Sequence, residues 1–151
     1  MKAFVSSLCF IVSLLFFIQC GKEKSPLDTG LNKHQINNQG ISLLQEGNFK
    51  EALERFDKAV AMDNNFALAY YNQGVCYQAL KDLPAATKAY SKAISLKANF
   101  PKALFNLALV YSRKKDTTNA VKFYKKFLKV APPSMQKPIA DAKRHIAELS
   151  P

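Results

Sequence analysis

Residues 67–100 read ALAYYNQGVCYQALKDLPAATKAYSKAISLKANF, and the rest of the chain is organised around this stretch. Its first part carries Tyr70, Gln73, Gly74 and Tyr77 at offsets of three and four, which gathers side chains on one face of an α-helix. Lys81-Asp82-Leu83-Pro84 then breaks the pattern, because proline fits a helix only in its first turn. Beyond it Ala86, Ala89, Tyr90, Ala93, Ile94 and Leu96 form a second apolar face of helical period. The stretch therefore predicts two helices joined by a turn, the first over residues 67–80.

The same pattern recurs at a fixed interval. Ala52, Ala86 and Ala120 are each 34 residues apart, as are Phe56, Tyr90 and Tyr124, and also Asn38, Asn72 and Asn106. A period in this range marks a stacked array, in which each unit buries its apolar face against the next. The units run over 33–66, 67–100 and 101–134, leaving 135–151 at the end. In that last segment Ile139, Ala142, Ile146 and Leu149 fall on one face, with Lys143 and Arg144 outside it. It reads as a capping helix that shields the apolar side of the last unit.

On these residues the units resemble tetratricopeptide repeats, whose mark is a large, a small and a bulky residue on the first helix, then Ala, aromatic and Ala on the second. Those places hold Tyr70, Gly74, Tyr77, Ala86, Tyr90 and Ala93 in the middle unit. The first unit gives Ile36, Gly40, Leu43, Ala52, Phe56 and Ala59; the third gives Leu104, Ala108, Tyr111, Ala120, Tyr124 and Phe127. Phe127 departs from the small residue of the pattern, so its ring has to find space in the closing of the last pair or beneath the final helix. The resemblance implies an all-α helix-turn-helix solenoid of three repeats plus a C-terminal capping helix.

It also implies a concave groove, lined by the first helix of each pair, in which a peptide segment of a partner lies. Carried onto this chain, the groove holds Asn38, Asn72 and Asn106 in a row, beside Asn37, Tyr71 and Phe105, with Ile41, Val75 and Leu109 deeper in. Amides carry donors and acceptors together and can grip a peptide backbone without demanding a sequence. Some family members clamp the C-terminal carboxylates of chaperones with five residues. Asn72 and Lys102 keep that clamp, while Asn37, Ile41 and Asn106 stand where Lys, Asn and Arg are expected, which disfavours it.

Charge is unevenly spread. Residues 1–80 hold seven basic and seven acidic side chains, whereas 81–151 hold fifteen basic and four acidic ones, so the whole excess of eleven lies in the C-terminal half. Lys122, Lys125, Lys126 and Lys129 share one face of the third unit's second helix, and Lys88 and Lys92 hold matching places one unit earlier. This basic face suits anionic lipid headgroups, an envelope polymer or an acidic partner. Nucleic acid is a poorer match, because no recognition-helix, zinc or aromatic-sheet motif accompanies the charge.

The N-terminal segment reads as an export signal: Lys2 is followed by an almost wholly apolar run from Ala3 to Ile18 that stops before Cys20. It resembles a bacterial lipoprotein signal peptide over 1–19, departing from the usual pattern at Phe17 and Gln19. The resemblance implies cleavage before Cys20, lipid attachment at that residue and a flexible tether over 20–32. The repeats would then sit outside the cytoplasm on a membrane anchor, and Gly21, in the place of a retention Asp, slightly favours the outer membrane. With Cys9 leaving in the signal and Cys20 acylated, Cys76 has no disulfide partner.

Catalytic signals are missing. No HExxH, paired CxxC, GxSxG or phosphate-binding glycine loop occurs. Asp141 and His145 lie one helical turn apart, but two ligands are too few for a closed metal site. His34 reads as a polar residue opening the first helix. The expectation is a non-catalytic scaffold of the cell envelope that needs no cofactor, metal or small-molecule substrate.

Overall fold

The structure, a computed structural model, describes residues 30–149; the expected signal peptide, Cys20 and nearly all of the tether lie outside them. The described residues form seven helices and no strand: α1 (Lys33–Gln45), α2 (Phe49–Met62), α3 (Ala67–Ala79), α4 (Leu83–Leu96), α5 (Pro101–Arg113), α6 (Thr117–Val130) and α7 (Gln136–Leu149). α1, α3 and α5 each pack on the even helix that follows, each pair packs on the next along the chain, and α7 packs on α6. The result is a solenoid of three helix pairs closed by α7.

The turn inside each pair is the same device used three times. Gly47, Lys81 and Lys115 take positive φ values of 85°, 64° and 60°. This left-handed residue lets the next amide fold back: the N–H groups of Asn48, Asp82 and Asp116 donate to the carbonyls of Leu43, Tyr77 and Tyr111 at 2.9, 2.9 and 3.0 Å. That closes the helix by satisfying an otherwise orphaned carbonyl. Asp82 and Asp116 then cap the following helix, accepting from the Ala85 and Asn119 amides at 3.0 and 3.1 Å. Asn48 donates instead to the Glu46 carboxylate and leaves α2 without a side-chain cap. α1 opens with a capping box between Asn32 and Gln35.

Small residues decide how close the two helices of a pair come. A Cβ on Gly40 would lie 2.5 Å from the Phe56 ring, and one on Gly74 would lie 2.5 Å from the Tyr90 ring. Both rings are fully buried, so the glycines set the spacing of the first two pairs. In the third pair Ala108 holds that place against Tyr124, and both are also fully buried.

Phe127 resolves its departure from the repeat pattern by packing under the cap. It is fully buried in one cluster with Tyr124 and Ala142 of α7, its ring 5.1 Å from that of Phe105. Ile139, Ile146 and Leu149 pack on the same cluster, while Lys143 and Arg144 are exposed. On α7 Asp141 pairs with Lys137 and Arg144, and His145 lies 3.3 Å from Glu148. Cys76 is buried against Ala52 and Phe56, and burial pushes its thiol up to about 12, so it packs as a small apolar group.

Candidate peptide-binding groove

A groove of about 520 Å³ runs across the first helices of the three pairs and the segments that join them. Ile41 and Leu44 of α1, Leu68, Tyr71, Asn72 and Val75 of α3, and Pro101 and Lys102 of α5 line it; Lys97, Phe100, Pro132 and Met135 complete its wall. Its lining is mainly apolar, and among the described residues that line it the formal charges are those of Lys97 and Lys102. The Lys97 ammonium lies 5.2 Å from the centre of the Phe100 ring, which holds one cation beside an apolar wall.

Of the residues expected here, Ile41, Tyr71, Asn72, Val75 and Lys102 share this groove. Others do not. Phe105 and Leu109 pack half-buried on the Tyr124 and Phe127 cluster, drawn there by the space under α7. Asn38 is exposed on α1, and its carbonyl accepts from the Ser42 hydroxyl.

Two of the three amides expected in a row, Asn72 and Asn106, form rungs between repeats, as does Asn37 beside them. Asn37 is 1% exposed, and its Oδ1 accepts from Nδ2 of Asn72, itself only 6% exposed, at 2.9 Å. One repeat later Asn106 Nδ2 sits 3.5 Å from the Tyr71 hydroxyl and 3.3 Å from the Tyr90 hydroxyl. Asn37 and Tyr71 hold the same place in successive units, as do Asn72 and Asn106, so the pairing repeats along the stack. Buried amides must be satisfied, and Asn37 and Asn72 meet this need by bonding to each other across the repeat boundary. Burial also pushes the Tyr71 phenol above its ordinary range, while its contact with Asn106 pulls the other way. Asn37 and Asn106 thus make contacts between repeats and are not among the residues lining this groove.

The sequence reading missed Leu44, Leu68, Lys97, Phe100 and Met135 in this groove. A signal existed for two of them: Leu44 lies three residues after Ile41, and Leu68 lies three before Tyr71, on the same helical faces. Leu68 is 40% exposed, a large apolar side chain open to the groove.

The tetratricopeptide repeat model matches residues 37–102, and a second model of that description matches 101–134. Residues 37–134 belong to the tetratricopeptide repeat family. The human tetratricopeptide repeat protein 6 is 31% identical over 65 residues, covering 40% of this chain but only 12% of that protein. Among solved structures, the Yersinia enterocolitica type III secretion chaperone SycD in complex with a peptide of the translocator YopD superposes with a TM-score of 0.74 at 16% identity, over 77% of this chain and 90% of that one. PcrH in complex with the chaperone-binding region of PopD gives 0.74 at 21% identity, over 80% and 95%. The first repeat domain of Spaghetti (RPAP3), bound to the HSP90 peptide SRMEEVD, gives 0.71 at 18% identity, over 79% and 92%. These likenesses show the tetratricopeptide repeat fold.

The basic face lies on the second helices of these repeats. Lys88, Lys92, Lys122, Lys125, Lys126 and Lys129 are all exposed, and none has an ion pair among the described residues. Aromatic rings order three of them. Lys122 and Lys126 place their ammonium groups 5.8 and 5.2 Å from the Phe123 ring centre, and Lys92 lies 5.8 Å from that of Tyr70.

Proposed function

We propose that this protein is a non-catalytic adaptor that holds an extended segment of a partner protein in the concave groove of its repeats. The observation that carries the reading is the groove itself, with an apolar lining drawn from all three repeats and a cationic rim at Lys97 and Lys102. Fixed apolar pockets flanked by charge on preformed helices suit a peptide that brings its own ordering cost. Proteins of the same fold in complex with partner peptides support it: SycD with YopD, PcrH with PopD and RPAP3 with HSP90. The proposed segment carries apolar anchors beside acidic residues. Lipid on Cys20 would tether the adaptor to an envelope membrane, where its partner would be part of an envelope assembly; the apolar run ending at Cys20 motivates this part.

The test is capture from the native membrane with crosslinking, comparing the natural chain with Leu68→Glu/Lys102→Glu. Both residues are exposed, so the variant keeps its fold. A partner retained through a high-salt wash by the natural chain and lost by the variant supports the groove; equal retention by both overturns it. Mass analysis of the mature N-terminus decides the anchor, since an unmodified Cys20 would remove it.

The exposed, unneutralised lysines of α6 favour a second reading, in which that face binds anionic lipid or an envelope polymer. Binding of this kind weakens steeply with salt. Lys125→Glu/Lys129→Glu would abolish vesicle or polymer binding under this reading and leave partner capture by the groove intact.

A further inference from the structure

A second cleft, of about 700 Å³, shares no residue with the groove; it lies between α3 and α4. Tyr70, Tyr77 and Ala89 supply apolar surface, and Lys88 and Lys92 stand at its edge. Among the described residues, no lining residue is acidic. The nearest carboxylate it meets through a lining side chain is that of Asp57 on α2, which accepts from Gln73 at 2.7 Å.

The third repeat shows what such a site takes. Tyr111, Lys122, Phe123 and Lys126 hold there the places of Tyr77, Lys88, Ala89 and Lys92. Phe123 stacks on Tyr111 with ring centres 5.5 Å apart and planes 11° from parallel, and both lysines lie over the Phe123 ring. In the second repeat the tyrosine and the two lysines are present, but the ring is replaced by the methyl of Ala89. The first repeat has Leu43, Glu54, Arg55 and Lys58 in these places, with neither ring nor lysine pair.

We infer that this cleft is a binding site for an aromatic side chain of a partner protein, flanked by acidic residues. The guest ring would take the position that Phe123 holds in the third repeat, stacked on Tyr77 between Lys88 and Lys92. Offset stacking and the two cations attract the ring, and the same cations attract carboxylates on either side of it. The site goes beyond the groove, since a partner could occupy one and leave the other empty.

The probe is an unlabelled pentapeptide with one Phe between two pairs of Glu, titrated into the full chain carrying ¹³C-methyl alanine. The expected result is a saturable ring-current shift at Ala89 and Ala85, weakened about tenfold or more when the peptide's Phe becomes Ala, or in Lys88→Gln/Lys92→Gln. Ala89→Phe fills the site with the chain's own ring, as the third repeat does, and should abolish the shift at Ala85. The exposed lysine pair provides the decisive variant should Ala89→Phe not fold. No shift at Ala89, or binding undiminished in Lys88→Gln/Lys92→Gln, overturns the site. Binding blocked by Leu68→Glu/Lys102→Glu but not by Ala89→Phe places the peptide in the groove and also overturns it.

Discussion

Asn72 donates through Nδ2 to Oδ1 of Asn37 at 2.9 Å, joining the first helices of two successive repeats inside a surface from which water is nearly excluded. The pair satisfies one polar group with another, and removing either leaves its partner buried and unmet. Asn37→Ala or Asn72→Ala should each cost about 1 to 3 kcal/mol in urea unfolding. Asn37→Leu/Asn72→Leu should cost less than the sum of the two single leucine changes, because no orphaned amide remains. Additive losses would show that the amides act independently.

Gly74 faces the Tyr90 ring with no room for a methyl group. Gly74→Ala should destabilise the protein by about 1 to 3 kcal/mol despite the higher helix propensity of alanine. Gly40→Ala should do the same against Phe56. An unchanged or raised Tm for both would mean that the rings yield freely.

Lys81 and Lys115 adopt the left-handed backbone that Gly47 adopts in the first repeat. A Cβ in that region is strained, and both side chains are exposed, so little packing is lost on removing them. Lys81→Gly and Lys115→Gly should each stabilise the protein by roughly 0.5 to 1 kcal/mol, the relief being partly offset by glycine's greater freedom when unfolded. Gly47→Ala should move stability the other way. Chemical denaturation of the three variants checks the sign.

Asp116 is held below the ordinary carboxylate range, first by the hydrogen bond from the Asn119 side chain and then by the one from the Asn119 backbone amide. A carboxyl whose pKa is lower folded than unfolded adds stability above its unfolded value and loses it as pH falls through its folded value. Stability carried by this cap should therefore be intact above about pH 4 and fade below it. Asp116→Asn keeps a capping side chain without the charge and should flatten that part of the profile. An acid limb identical to that of the natural chain would exclude Asp116 as a contributor.

Much of the fold was legible. Pro84 and Lys81-Asp82 located the turn of the middle pair, and α3 ends at Ala79, within one residue of the expected end. Helical period is a local property, so nearest neighbours along the chain suffice to read it. The groove was legible in part. Tyr71, Val75 and Ile41 follow from the face of a helix, whereas Lys97, Pro132 and Met135 come from joining segments whose path depends on how repeats are stacked.

The sequence by itself determined the seven-helix repeat architecture, because the 34-residue recurrence of small and aromatic residues leaves each helix pair an apolar face that only another pair can cover. It also determined the excess of lysine toward the C-terminal end, since charge is simply counted. Tertiary structure alone decided that Asn37 and Asn72 meet each other across the boundary between repeats, and that Phe105 packs against Phe127 instead of lining the groove. The reason is the packing angle between successive repeats: a small rotation carries a side chain from a shared interface to open solvent, and no residue encodes that angle on its own.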